Sequence, residues 1–262
     1  MSIGVGSGTS KSKGIGDIAV LVSRVVHSYC VLVLVVMTLS GCLINGSDDD
    51  PKNLRADAGP DIIQFIVKDE EERHTIEFDG SNSTGKIQSY LWDFDRTGPF
   101  QPDADGEQVT NTYIEPGKYS VILKVNDDQD EDFDISEVFI NYRQYENSSL
   151  QDEERDEFTF PVQEPATRVY GELRYDPGGF FGNNLTLEFT DAEGNSTDRE
   201  GTEKSEHEED GQIVKRVEIK GDFVLQYVMG DWRAVVERND SAGGTVDYSL
   251  LIEVDYDPDS AL

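Results

Sequence analysis

Residues 118–125 decide the fold class, because their apolar side chains recur at every second position. The stretch reads K-Y-S-V-I-L-K-V. One set of side chains is apolar (Tyr119, Val121, Leu123, Val125) and the other is mixed (Ser120, Ile122, Lys124, Asn126). Since successive side chains of a strand point to opposite faces, this alternation predicts a β-strand with one buried face.

The same period of two runs through most of residues 58–256, and no segment carries a convincing helical stripe. Working back and forward from residues 118–125, the neighbouring strand candidates are Thr75–Phe78, Ile87–Phe94 and Ile135–Tyr142. Glycines separate them, as at Pro116-Gly117. Short strands at this spacing predict an antiparallel β-sandwich.

A second set of alternating runs follows a polar break at Tyr145–Glu154. Alternation recurs within Val169–Tyr175, and the other apolar positions are Phe158, Phe160, Val162, Leu185, Leu187, Phe189, Phe223, Leu225, Tyr227, Trp232, Ala234, Val236, Val246, Tyr248, Leu250, Ile252 and Val254. They predict seven strands and a second sandwich, with the charged segment Thr197–Asp210 as a solvated loop. The expected architecture is all-β: two consecutive antiparallel sandwiches at 54–143 and 155–257, joined by a linker at 144–154.

The first 41 residues have the plan of an export signal. Lys11, Lys13 and Arg24 precede an apolar run, Tyr29–Leu39, that is too short to span a bilayer comfortably. A longer transmembrane anchor that begins at Ile15 and tolerates the intervening polar residues is the alternative interpretation.

A short motif follows the apolar run. The tetrapeptide Leu39-Ser40-Gly41-Cys42 resembles the lipobox of lipoproteins, in which the cysteine thiol accepts a diacylglycerol. The resemblance implies a cleaved signal peptide at 1–41 and lipid attachment at Cys42. Residues 42–53 then form a polar tether, and the protein is held by its lipid at the extracytoplasmic face of the cell membrane.

Charge and cysteine content exclude several classes of protein. The chain has 22 basic and 54 acidic residues, and 19 basic and 53 acidic residues follow the leader. Such a surface repels phosphate backbones, so nucleic acid is excluded as a partner. The two cysteines, Cys30 and Cys42, lie in the leader and at its cleavage point, so no disulfide framework is available.

Several motifs of the first sandwich resemble the PKD (polycystic kidney disease) domain. In chain order they are Ala58-Gly59-Pro60-Asp61, Phe78-Asp79-Gly80-Ser81, Ser89-Tyr90-Leu91-Trp92-Asp93-Phe94, Asn111-Thr112-Tyr113 and Pro116-Gly117-Lys118-Tyr119-Ser120-Val121. The resemblance covers roughly residues 54–142. It implies an immunoglobulin-like sandwich, a place in the core for Trp92, and a role in extracellular spacing or in protein and glycan contact.

The second sandwich is similar, more loosely, to bacterial and archaeal pre-peptidase C-terminal domains. The similar segments are Asn184–Asn195, Gly230–Val236 and Asp247–Ile252. The similarity implies a jelly-roll-like accessory module, which in relatives binds substrate or a cell-surface polymer.

The motifs of common enzymes are missing from the sequence after the leader. It contains two histidines, His74 and His207, and neither a Gly-x-Ser-x-Gly elbow nor a His-Glu-x-x-His motif. The sequence therefore predicts a protein without catalytic residues.

An acidic loop follows residues 118–125. Asp127, Asp128, Asp130 and Asp132 lie within seven residues, and calcium takes oxygen ligands from such loops. Calcium is therefore the one candidate cofactor, and a solvated turn without an ion is the alternative.

Two further features are candidate sites. Phe180 and Phe181 lie in a glycine-rich segment, either as an exposed binding loop or as a plug for the end of the sandwich. Sequons of the form Asn-x-Ser/Thr predict glycan acceptors at Asn45, Asn82, Asn147, Asn195 and Asn239. A sixth sequon begins at Asn184, which is less suitable because it lies at a strand edge.

Taken together, these features predict a lipid-anchored, non-catalytic binding or adhesion protein. Its partners are the membrane, through the lipid, and an extracellular protein or polysaccharide. Two alternatives stay open: an accessory subunit that tethers a secreted hydrolase or polymer at the surface, and a structural spacer of the envelope.

Overall fold

A computed structural model describes residues 54–70, 74–95, 98–178, 182–240 and 243–258. Within these residues no helix is long and apolar enough to cross a membrane. The signal peptide, the lipobox and the tether lie outside them, and their assignment stays a prediction.

The first half of the described chain contains seven strands. They are β1 (Ile62–Val67), β2 (His74–Asp79), β3 (Ser89–Asp93), β4 (Ala104–Asp105), β5 (Gln108–Tyr113), β6 (Gly117–Asn126) and β7 (Glu131–Leu150). The second half contains β8 (Arg155–Val162), β9 (Arg168–Tyr175), β10 (Leu185–Thr190), β11 (Thr202–Glu209), β12 (Gln212–Lys220), a 3₁₀ helix (Gly221–Gln226), β13 (Gly230–Arg238) and β14 (Val246–Asp255). The all-β prediction is confirmed.

One large sheet runs through both sandwiches. Its strand order is β11-β12-β9-β14-β7-β6-β3-β4, and β1 adds to it by pairing in parallel with β7. Strands β2 and β5 face it in the first sandwich, and β10, β13 and β8 face it in the second. Two hydrophobic cores result, one around Trp92 and the other around Trp232.

The predicted alternation and core position in the first sandwich are present. Val121, Leu123 and Val125 of β6 are fully buried. Trp92 is fully buried too, and its indole nitrogen donates to the carbonyl oxygen of Gly106 at 2.9 Å. A buried indole N–H needs such an acceptor, which explains why this tryptophan is core and not an exposed platform.

Strand β7 corrects the predicted linker. It is 20 residues long and therefore spans about 60 Å at the usual rise per residue. Its first half pairs with β6, from Glu131 to Ile140, and its second half pairs with β14, from Tyr142 to Leu150. Residues 144–150, predicted to be linker, are thus strand, and the two sandwiches share one continuous element.

The polar composition of this segment has a physical explanation. Gln144 is fully buried but accepts a hydrogen bond from the Tyr142 hydroxyl at 2.9 Å. Ser148 donates to Asp156 on the facing sheet at 2.8 Å. Inward polar side chains that are hydrogen-bonded are tolerated in a core, so their presence does not mark a linker.

Two other segments differ from their predictions. Thr202–Glu209, predicted to be loop, is the edge strand β11, and charged side chains are usual on an edge because they discourage further pairing. The run Phe223–Tyr227, predicted to be strand, lies largely in the 3₁₀ helix, where Val224 is buried while Phe223 is 40% exposed. Three apolar residues at alternate positions are too short a signal to separate strand from turn.

Candidate ligand-binding face

The second sandwich exposes one face of the large sheet, formed by β11, β12, β9, β14 and β7. Side chains from neighbouring strands lie side by side in rows across this face. One row contains Arg143, Glu253, Tyr170 and Glu218. Two residues further along each strand, Tyr145, Leu251, Glu172 and Arg216 form the next row. The face therefore presents rows of mostly polar side chains on hydrogen-bonded strands.

Ion pairs occupy the part of the face that adjoins the first sandwich. Arg168 donates to Glu218 at 2.5 Å and to Asp255 at 2.7 Å. Arg143 donates to Glu253 at 2.7 Å. These guanidinium groups already have carboxylate partners, so this part of the face offers little unused charge to a ligand.

Glu172 lies at the centre of the face and joins strands β9 and β12. It accepts hydrogen bonds from Arg174 and Arg216, both at 2.6 Å, and from the Tyr170 hydroxyl at 2.8 Å. Burial raises the pKa of Glu172, but the hydrogen bonds from Arg216, Arg174 and Tyr170 outweigh it and lower the pKa to about 2. Glu172 is therefore charged at neutral pH and fixes both arginines.

The far end of the face, around the last residues of β7, forms a cleft of about 520 Å³ that we call the distal cleft. Its lining residues are Asn147, Ser148, Ser149, Arg174, Gln212, Asp247, Tyr248 and Ser249. Ser249 of β14 pairs with Asn147 on one side and with Arg174 on the other, which fixes the arrangement.

The distal cleft differs from the rest of the face in its unused hydrogen-bonding groups. Within the described residues, five of its side chains have no hydrogen-bond or ion-pair partner: Asn147, Ser149, Gln212, Asp247 and Ser249. Arg174, in contrast, is held by Glu172 and by Glu209, the latter at 3.0 Å. The cleft thus presents amide and hydroxyl groups and the Asp247 carboxylate beside an arginine that is already paired.

The strands beneath the cleft are held from their inward side, toward the facing sheet. The Tyr248 hydroxyl donates to Asp156 at 2.6 Å, and Ser148 donates to the same carboxylate oxygen. Burial and the neighbouring Asp156 raise the pKa of Tyr248, so its hydroxyl keeps its proton. An exposed aromatic ring, Tyr145, adjoins the cleft two residues before Asn147 on the same face of β7 and is 58% exposed.

Hydroxyl and amide groups of this kind can donate hydrogen bonds to a ligand and accept them from it. Tyrosine, serine and asparagine are enriched in antibody recognition loops, because they combine contact area with adaptable hydrogen bonding. The sequence analysis missed this site. Its only local signal was the alternation of Tyr145, Asn147 and Ser149 inside the segment predicted to be a linker.

The acidic loop does not gather its carboxylates. Asp127 accepts the backbone N–H groups of Gln129 and Asp130, both at 2.7 Å, and Asp132 accepts that of Ala56 at 2.9 Å. The hydrogen bonds from Asp130 and Gln129 lower the pKa of Asp127. No group of three or more metal-ligating side chains occurs in the part of the chain that the structure describes. Calcium binding by Asp127, Asp128, Asp130 and Asp132 stays a prediction.

The sequon asparagines within the described ranges are exposed, but their side-chain amides differ in whether they already donate hydrogen bonds. Asn195 donates to both carboxylate oxygens of Asp191, at 3.1 and 3.0 Å, and Asn239 donates to Thr186 at 3.0 Å. Asn82 lies in a turn, and Asn147 lies in the distal cleft. Glycosylation at any of them stays a prediction.

The remaining predicted site residues lie outside the described residues. They are Cys42 with Leu39, Ser40 and Gly41, the sequon at Asn45, and the loop residues Phe180 and Phe181.

Comparison with known proteins supports the fold. Residues 59–139 match the family model of the PKD domain, which confirms the resemblance of the first sandwich. This match places the first sandwich in a class of binding or adhesion domains. No curated protein matches the sequence.

Solved structures with a similar fold include a carbohydrate-binding module of the β-sandwich superfamily, with 10% identity, 79% coverage of this chain, 98% coverage of that chain and a TM-score of 0.33. Bovine butyrophilin shows 10% identity, 78% and 99% coverage, and a TM-score of 0.25. The first eight immunoglobulin domains of the Down syndrome cell adhesion molecule show 14% identity, 64% and 23% coverage, and a TM-score of 0.24. At these values the similarities say nothing about what this chain binds.

Proposed function

We propose that this protein is a lipid-anchored, non-catalytic binding protein of the extracytoplasmic surface, which holds an extracellular protein or glycan in its distal cleft. The observation that carries the proposal is the concentration of unpaired hydrogen-bonding side chains at the far end of β7. The rest of the same face is closed by ion pairs, so the cleft is where a ligand gains contacts.

The path of the chain supports this role. The backbone N–H of Ala56 donates to Asp132, close to the beginning of β7, whereas the distal cleft lies beside its last residues. Strand β7 places the cleft about 50 Å from the contact between Ala56 and Asp132, so a ligand in the cleft lies far from the first described residues of the chain.

The lipid anchor is tested by replacing the acceptor thiol. Cys42→Ser should leave an unprocessed precursor without lipid, because a serine hydroxyl cannot form the thioether. Detergent-phase partitioning and the N-terminal mass measure this. A wild-type protein that still carries residues 1–41 would contradict the lipoprotein assignment.

Binding at the cleft is tested by site-specific cross-linking on intact cells. The sequence after the leader contains no cysteine except Cys42, so Gln212→Cys, at the exposed rim of the cleft, places a photoreactive maleimide there alone. We expect discrete cross-linked products from this position. The matched control is Lys86→Cys, in an exposed turn of the first sandwich, which should give none. Equal products from both positions, or none from either, would contradict the proposal.

A structural spacer is the second candidate, because the shared strand β7 joins the two sandwiches into one rigid element. A spacer needs the anchor and the length but no occupied cleft. It is therefore favoured if Gln212→Cys gives no product while the cells still depend on the intact full-length chain.

A further inference from the structure

The proposed function does not specify the chemical class of the ligand. The side chains of the distal cleft restrict that class. Asn147 and Gln212 each offer an amide oxygen and an NH₂ group, while Ser149 and Ser249 each offer a hydroxyl that donates and accepts. A ligand that satisfies all four side chains must itself carry donors and acceptors at close spacing. Polyhydroxylated compounds have this property, because every hydroxyl both donates and accepts.

The charge of the cleft disfavours an acidic ligand. Arg174 is paired with Glu172 and Glu209, and Asp247 adds a further carboxylate to the lining. The formal net charge of the chain is −32, which repels a polyanion at long range. The cleft therefore has no unpaired cation for an acidic polymer, and the Asp247 carboxylate is free to accept hydrogen bonds from hydroxyl groups.

An aromatic ring extends the cleft along β7. Tyr145, Asn147 and Ser149 alternate on one face, so they lie in line over about 13 Å at the usual rise of a strand. The Tyr145 ring is 58% exposed beside the amide of Asn147. A flat exposed ring next to hydrogen-bonding groups suits a ligand with one apolar face and a polar rim, which describes a sugar ring.

A protein partner fits less well. Protein interfaces draw most of their affinity from aromatic and arginine anchors buried in desolvated pockets. Here the floor of the cleft is a sheet whose backbone groups are paired, the side chains are short, and Arg174 is already tied to Glu172. We infer that the distal cleft binds a neutral polysaccharide through Asn147, Ser149, Gln212 and Ser249, with Tyr145 stacked on a sugar ring. This inference rests on the proposed function.

The test is affinity electrophoresis of the full-length protein in detergent. Separate gels contain a neutral polysaccharide (dextran, mannan, xylan or hydroxyethylcellulose) or an acidic one (polygalacturonate or hyaluronate). We expect saturable retardation by at least one neutral polymer and none by the acidic polymers. The double variant Asn147→Ala/Ser249→Ala should raise the dissociation constant at least tenfold, and Tyr145→Ala should raise it severalfold.

The matched control is Ser81→Ala/Asn82→Ala, which removes an exposed hydroxyl and amide from a turn of the first sandwich and should leave retardation unchanged. Circular dichroism melting shows that each variant is folded. Retardation by none of the neutral polymers, or equal retardation of the double variant, overturns the inference. A glycan found on Asn147 by peptide mass spectrometry also overturns it, because that glycan fills the cleft.

Failure of this inference is distinguishable from failure of the proposed function. If no neutral polymer is bound but Gln212→Cys cross-links a cell-surface protein that Lys86→Cys does not, the binding role stands and the ligand is a protein. If neither experiment gives a signal, both proposals fail.

Discussion

Arg238 should be the charged residue whose loss most destabilises the second sandwich. It lies at the end of β13, and its side chain is fully buried. Its guanidinium reaches Asp240 at 2.8 Å and Asp152 at 2.9 Å, and it donates to the carbonyl oxygens of Leu150 and Gly244 at 3.2 and 2.8 Å. One side chain thus joins the end of β7 to two loops beside the distal cleft.

The expected cost of Arg238→Met follows from these contacts. Removing one member of a buried ion pair costs about 3–5 kcal/mol, because the remaining charge loses its partner in a poorly solvated place. Asp152 is 34% exposed and Asp240 keeps the N–H of Asn184, so water and that donor relieve part of the penalty. We expect a loss of about 3 kcal/mol, which lowers the melting temperature by about 6–12 °C in a chain of this size.

The assay is thermal unfolding of the full-length protein followed by circular dichroism, with urea titration as a second measure. The matched control is Arg155→Met, since Arg155 is 65% exposed and its pair with Glu157 contributes no more than about 1 kcal/mol. Adding Asp152→Asn to Arg238→Met should recover part of the loss. The reasoning is refuted if Arg238→Met melts within 2 °C of the Arg155→Met control, a difference of roughly 1 kcal/mol or less.

Three further predictions follow from the fold. Limited proteolysis should leave residues 144–150 intact, because they pair with β14 along their length, and a first cut there would contradict the continuous strand. Because Asp127 and Asp132 already accept backbone N–H groups, calcium should raise the melting temperature no more than sodium at equal ionic strength; a calcium-specific rise that Asp128→Asn removes would establish the ion site. Since the folded pKa of Glu172 is about 2 against an ordinary 4.5, its stabilising effect is complete above pH 4.5 and is lost as the pH falls toward 2. Glu172→Gln should therefore flatten the acid limb of the unfolding curve measured by circular dichroism, and an unchanged limb would contradict it.

Local pattern alone predicted the all-β class and much of the first sandwich. The buried positions of β6 recur at every second residue, so a strand with one apolar face can be recognised in its own sequence. The place of Trp92 in the core was implied by the resemblance to the PKD domain. The exclusion of nucleic acid as a partner followed from the charge, and the prediction of a lipid anchor followed from the lipobox motif. Neither prediction required a structure.

Only the tertiary structure decided where the two sandwiches join and where the distal cleft lies. Residues 144–150 resemble a linker because their inward polar groups find partners on other strands, such as Asp156 for Ser148. Asn147 meets Ser249 across β7 and β14, about a hundred residues later in the chain. A sequence pattern shows which face of a strand is apolar. It does not show which distant strand provides hydrogen-bond partners for the polar side chains. For this reason neither the continuous strand nor the cleft could be predicted from the sequence.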